Sequence, residues 1–259
     1  KRRFLSDSQY SLLLSLALPI IFFFLIVSLF TDTMPHWSAP GYFTLILISA
    51  AYLASKYEIQ KKGTKGIILP SPLRYSLSLL IIATTLGLAQ YFTGFLNIEL
   101  KQEKEYKIGS TDFTFESYGW DKLADEFNIL RESDIASGKM TANTFILSSL
   151  WSDASHYDYY IASPNNMVVK TIGPLNETRK YAWITDKLGS FKIGESAYYI
   201  ESSRDKKTMS EIGIRYFKQV ELAKTIYIKR LNQPVLRFKI FRFKQLSMIP
   251  ERELCSFTK

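Results

Sequence analysis

Residues Ser11 to Phe30 read SLLLSLALPIIFFFLIVSLF, 20 residues without a charge. A helix rises about 1.5 Å per residue, so a run of this length covers a bilayer core of about 30 Å. Pro19 would break a soluble helix, but a membrane helix tolerates proline where neighbouring groups satisfy the freed carbonyl. Two more uncharged runs follow, WSAPGYFTLILISAAYLAS (residues 37–55) and YSLSLLIIATTLGLAQYFTGFL (residues 75–96). The alternative for each run is a buried core helix. Soluble core helices rarely go so far without a charge, and three within the first hundred residues point to membrane spans. A signal peptide fits the first run less well, because the run is long for that purpose and no small-residue cleavage site follows it.

Lys and Arg set the expected orientation, since they collect in the loops that stay inside. Lys1, Arg2 and Arg3 precede the first run, and Lys56, Lys61, Lys62, Lys65 and Arg74 lie between the second and third. The connector Thr31 to His36 carries neither residue type. The expected topology has the N-terminus in the cytoplasm, the 31–36 connector outside, the lysine-rich loop inside and residues 97–259 outside. In a bacterium this is an inner-membrane protein with a periplasmic C-terminal domain. The expected domains are therefore 1–96, with three transmembrane helices, and 97–259.

Composition averages two unlike parts, which is why mean hydropathy is −0.03. Net charge is +9, and the first 96 residues hold 8 basic against 3 acidic residues. The remaining 163 residues hold 25 basic against 21 acidic ones, a mild and scattered excess that argues against a nucleic-acid partner. Cys255 is the sole cysteine, so no internal disulfide forms. The first span begins almost at once, and the chain is expected to be part of a larger membrane protein.

The second part alternates helix and strand. In SYGWDKLADEFNILRE the apolar residues Trp120, Leu123, Ala124, Phe127 and Leu130 fall on one helix face, with Ser117 or Asp121 at its start. Strands are expected at residues 144–150, 166–172 and 195–203, and helices at 152–161 (capped by Ser152 or Asp153) and in part of 176–188. That order predicts a small α/β domain with a parallel sheet. Residues 216–246 read as a C-terminal β-hairpin divided at Leu231-Asn232-Gln233-Pro234. Leu236, Phe238 and Ile240 alternate with Arg237 and Lys239, and then the apolar phase moves to Phe241 and Phe243. A one-residue phase change predicts a β-bulge there. An edge strand apolar on both faces is the alternative.

Chemistry is sparse in this second part. Asp153 and His156 sit three apart with Tyr157, Tyr159 and Tyr160 beside them, too few ligands for zinc. His156 reads as a structural helix residue or as a ligand contact. No Gly-rich phosphate loop, GxSxG or CxxC occurs. Asn176-Glu177-Thr178 matches a glycosylation sequon that is common by chance.

Three stretches carry a resemblance. HWSAPGYFTLIL (residues 36–47) looks like an outside-facing turn and the span after it. YGWDKLADEF (118–127) looks like the first helix of an outer domain. ANTFILSSLWSDASHYDYYI (142–161) looks like the strand and helix that follow, ending in the aromatic pair Tyr159-Tyr160. In this order they resemble the C-terminal half of bacterial family 39 glycosyltransferases, relatives of the dolichyl-phosphate-mannose protein mannosyltransferases and the lipid A aminoarabinose transferases. The resemblance implies a polyprenyl-phosphate sugar donor, a lipid, glycan or protein acceptor, and contact with the bilayer. It implies no cofactor in this part and leaves a divalent metal to the complete enzyme. It also implies that the catalytic residues are outside this chain: the family's acidic residue lies in its first outside loop, whereas Asp32 follows a later span. His36, Trp37 and Tyr42 become the candidate substrate-binding residues, with His36 able to donate a hydrogen bond to phosphate oxygen. The plainer reading of the same residues is an interfacial turn, with Trp and Tyr as anchors and Pro35 and Pro40 stiffening the helix entry. A different class also fits, a non-catalytic, membrane-anchored periplasmic binding or assembly subunit.

Overall fold

The computed structural model describes residues 5–31, 33–57, 69–95, 113–204 and 210–250. Lys1 to Arg3, Asp32, most of the lysine-rich loop and Cys255 lie outside the described residues. The chain divides into two compact units, one up to Thr84 and one from Thr85 onward.

The first unit is built on α1 (Asp7–Val27) and α2 (Ala39–Tyr57), joined through a 3-10 turn (Pro35–Ser38). The α1 helix starts earlier than the apolar run because Ser6 caps it. The Ser6 hydroxyl accepts from the Gln9 amide, and the Gln9 side chain reaches back to the Ser6 amide at 2.8 Å. Leu29 and Phe30 fall beyond its end. The two helices approach closely at Gly41, where a Cβ would stand 2.8 Å from Ile21 Cγ1 and 2.9 Å from the Ala17 carbonyl oxygen. Small residues at such a crossing let backbones pack tightly. A third helix, α3 (Ser71–Thr93), begins in this unit and ends in the next.

All three helices are long and apolar enough to cross a membrane. Large apolar side chains on them are open: Leu79, Leu80, Ile81 and Ile82 on α3 are each more than half exposed, as are Phe22, Phe23, Leu25 and Ile26 on α1.

The second unit is an α/β fold around a five-stranded sheet ordered β2-β1-β3-β5-β4. Its strands are β1 (Phe145–Ser148), β2 (Val169–Thr171), β3 (Ala197–Ser202), β4 (Phe217–Arg230) and β5 (Gln233–Leu246). The β1 strand pairs in parallel with β2 and β3. The sheet as a whole is mixed rather than parallel, because the C-terminal hairpin joins it, with β5 antiparallel to both β3 and β4.

Helices cover both faces. On one face α4 (Trp120–Ala136) buries Trp120, Leu123, Ala124, Phe127 and Leu130, the expected stripe, against Tyr198, Ile200 and Phe238. Its cap is neither Ser117 nor Asp121 but Gly119, at φ +83°, where a Cβ would sit 2.8 Å from Ile228 Cγ2. The expected 152–161 helix is two segments, α5 (Trp151–Tyr157) and a π turn (Asp158–Ala162). Leu150 stands at the N-cap of α5, and the Ser152 hydroxyl turns to the Asp153 carboxylate instead. The 176–188 region forms α6 (Leu175–Thr178) and α7 (Lys180–Lys187). On the opposite face Phe145, Leu147, Phe191, Tyr199, Phe217 and Phe243 form a second cluster. Here α8 (Ser210–Tyr216) lays Gly213 on the Phe243 ring, so a Cβ would come within 2.7 Å of Cε1 and Cε2.

The expected bulge in β5 is corrected by this two-sided burial. The β5 strand pairs with β3 without interruption from Phe238 to Phe243. Leu236, Phe238 and Ile240 pack in the first cluster, and Phe243 packs in the second with Phe241 against it. The apolar phase changes because the strand moves from one covered face to the other, while its alternation continues. Arg242 therefore keeps the face of Ile240. The β4–β5 register shifts elsewhere, at Ala223 on the partner strand between Leu222 and Lys224, and again near the turn, where Ile228 pairs with Leu236 and Lys229 with Pro234 so that Val235 is skipped. Nor is β5 an edge strand, since β3 and β4 flank it.

Candidate functional site

His36 and Trp37 occupy the 3-10 turn that Pro35 opens, and Tyr42 lies in the first turns of α2. His36 is exposed, and Trp37 and Tyr42 are 43% and 48% exposed. Trp37 leans on Phe24 of α1 with ring centroids 5.9 Å apart. The turn thus holds its indole against the helical hairpin and presents its imidazole outward. Among the described residues no side-chain hydrogen bond or ring contact joins His36, Trp37 and Tyr42 to one another. They share one end of the α1–α2 hairpin, with Gly41 fixing the approach of the two helices beside Tyr42.

His156 is held structurally. Its ring stacks on Trp120 at 4.3 Å and 10°, and Nδ1 lies 2.9 Å from the Ser152 carbonyl, which places a proton on that nitrogen. Tyr157 is buried and donates to the Ile200 carbonyl, whereas Tyr159 is exposed. Among the described residues no group of three His, Cys, Asp or Glu side chains could hold a metal ion. In the sequon Asn176 is exposed, but Thr178 is buried and donates to the Pro174 carbonyl.

The charged groups of the second unit serve its packing. Arg242 donates from Nε and Nη2 to Asp134 at 2.7 and 2.8 Å, and from Nη1 to Glu221 at 2.9 Å. Tyr198 donates to the same Asp134 at 2.9 Å. Burial and the bonded Asp134 carboxylate hold the Tyr198 phenol far above its ordinary value. The bond to Asp134 likewise raises Arg242. Lys170 is buried, pairs with Glu195 at 2.9 Å and lies over the Phe145 ring at 4.5 Å. Burial pushes the Glu201 carboxyl up, against the pull of Lys239 and Arg237. The Asp134–Arg242 pair braces α4 against β5, and the Lys170–Glu195 pair ties β2 to the segment before β3.

The sequence reading missed a cluster within the second unit, at the C-terminal end of α3. Arg230, the last residue of β4, is buried with its guanidinium 4.3 Å from the Phe115 ring centroid and 4.6 Å from that of Tyr118. Its Nη2 donates to Thr114 Oγ1 at 3.0 Å. Gly94, immediately after α3, has φ +64°, and a Cβ there would stand 2.9 Å from Arg230 Nη1. Tyr91 on α3 donates to the Ser117 carbonyl and meets the Tyr118 ring edge-on at 5.4 Å. Tyr118 donates to the Lys229 carbonyl. The available signals were a glycine at the end of an apolar run and an arginine beside an asparagine turn.

Comparison with protein-family models, with curated proteins and with solved structures returns no match.

Proposed function

We propose that this chain works as part of a membrane glycosyltransferase that uses a polyprenyl-phosphate-linked sugar donor. The three apolar helices cross the bacterial inner membrane, and residues 97–259 face the periplasm. Insertion is supported by the open apolar side chains of α1 and α3, which a soluble fold would cover. Orientation is supported by the Lys and Arg residues, which cluster before α1 and between α2 and α3.

One observation carries the functional reading. The turn between two membrane-length helices presents an exposed histidine beside a tryptophan braced on Phe24. In transfer from such a donor, an acceptor oxygen attacks the anomeric carbon and polyprenyl phosphate leaves. A donor aimed at the phosphate stabilises the charge that develops on it. His36 supplies that hydrogen bond, while Trp37 and Tyr42 lie at headgroup depth beside the lipid phosphate. The acidic residue that activates the acceptor comes from the family's first outside loop.

A second reading is favoured by the second unit itself. Four of its charged groups are engaged in the Asp134–Arg242 and Lys170–Glu195 pairs, as in a domain that binds or assembles without reacting.

The test is sugar transfer by the reconstituted full-length protein, comparing wild type with His36→Phe and His36→Gln. Loss of a hydrogen bond to a charged group costs about 1.5–3 kcal/mol, roughly a 10- to 150-fold fall in transfer for His36→Phe. Thermal stability should hold, because the side chain is exposed. Unchanged transfer in both variants would leave the turn only an anchoring role.

A further inference from the structure

The tip of the C-terminal hairpin combines two unfavourable features. Arg230 pairs with Gln233, so Leu231 and Asn232 form a two-residue loop, with φ +45° and +66°. That is the pattern of a type I′ turn, which selects Asn and Gly and disfavours a γ-branched residue such as leucine. Leu231 is also 71% exposed, so no protein burial compensates for the local cost.

The surroundings of the tip fix its depth. The α3 helix has 23 residues, about 35 Å of rise, which exceeds a hydrocarbon core of about 30 Å and carries its end into the headgroup layer. Gly94 follows that end directly, and the close approach of Arg230 Nη1 to Gly94 brings the hairpin to the same level. The Tyr91–Ser117 and Tyr118–Lys229 hydrogen bonds tie helix end, loop and hairpin together. Phe92, Phe95 and Tyr227 are exposed nearby in sequence, as is Lys229. Aromatic and basic side chains of this kind suit the headgroup layer.

We propose that the hairpin tip is a membrane-docking element. Leu231 enters the phospholipid headgroup layer around the end of α3, and Lys229 meets lipid phosphate beside it. The leucine that a free turn would reject is retained because lipid covers it. Docking at the tip together with α3 gives the second unit two membrane contacts and so sets its tilt over the bilayer. This inference rests on the reading of α3 as a membrane span.

The experiment uses the full chain in phosphatidylethanolamine–phosphatidylglycerol vesicles, with Cys255→Ser removing the native thiol. Single cysteines replace Leu231, Ser137 or Leu80 and carry an environment-sensitive fluorophore. Lipids quench it either at the headgroup or deep in the acyl chains. Ser137 follows α4, a helix of 17 residues and so about 25 Å long that starts near the tip at Gly119. The Leu231 label should show blue-shifted emission and strong headgroup quenching, the Ser137 label neither, and the Leu80 label deep quenching. If the Leu231 label behaves like that at Ser137 while Leu80 is quenched deeply, docking is overturned and the span stands. If Leu80 escapes deep quenching, the spanning reading fails and docking with it. A second variant is independent of labels. Leu231→Asn suits the turn and should raise the melting temperature of the protein in detergent. In vesicles it should increase protease access to the hairpin, and unchanged access would count against docking.

Discussion

Arg242 grips Asp134 across 108 residues of chain through two parallel hydrogen bonds of 2.7 and 2.8 Å, with the side chains 6% and 1% exposed. The pair pins the last turn of α4 to β5, the inner strand of the hairpin. Removing one partner leaves the other charged and buried, which costs about 3–5 kcal/mol. Asp134→Ala should therefore lower the denaturant midpoint of the second unit sharply in the full chain. The paired change Asp134→Leu with Arg242→Met should recover much of the loss, because it leaves no buried charge. A single variant as stable as wild type would show that the pair does not hold the helix.

How much of this was legible in the sequence depends on the residue. The apolar stripe from Trp120 to Leu130 was visible because nothing interrupts its helical period. Asp134 continues the same stripe and was missed, since a carboxylate on an apolar face reads as the end of the face. Its partner Arg242 was read as a phase slip for the same reason. A strand covered on both faces loses the alternation that reveals one-sided burial. The bulge at Ala223 carries no glycine to mark it. The Gly119 cap depends on Ile228, a contact that no local pattern encodes. For the candidate turn, exposure of His36, Trp37 and Tyr42 followed from residue type and position between apolar runs. The tilted ring contact of Trp37 with Phe24 did not, because it depends on where α1 ends.

Tyr181 makes stability depend on alkaline pH. Burial and the neighbouring Asp158 carboxylate push its phenol up to about 12 from 10.0. The folded state therefore holds the proton more tightly than the unfolded chain. The stability this contributes is complete below pH 10 and is lost as pH rises toward 12. Denaturation midpoints of Tyr181→Phe should fall less steeply than those of wild type across that window. Identical slopes would contradict the assignment.

Gly41 controls the α1–α2 hairpin. Any Cβ there presses on Ile21 and on the Ala17 backbone, and the backbone cannot yield without moving a helix. Overpacking of this kind costs about 1–3 kcal/mol. Gly41→Leu should lower the melting temperature in lipid nanodiscs, with Gly41→Ala intermediate. Wild-type melting of the leucine variant would mean that the helices do not pack here.

Orientation has a direct readout. A reporter active only in the periplasm should be active when fused after Glu105 and silent when fused at Gly63. The opposite pattern would invert the topology and remove the turn from the donor's side of the membrane.

The central claim is that the turn at His36 binds a lipid-linked phosphate. The most direct measurement is binding of a polyprenyl-phosphate analogue to the purified full chain in nanodiscs, titrated for wild type and His36→Phe. The account predicts saturable binding by wild type and an affinity weakened roughly 10- to 150-fold in the variant. Equal affinity in the two proteins, or no binding by either, would contradict it.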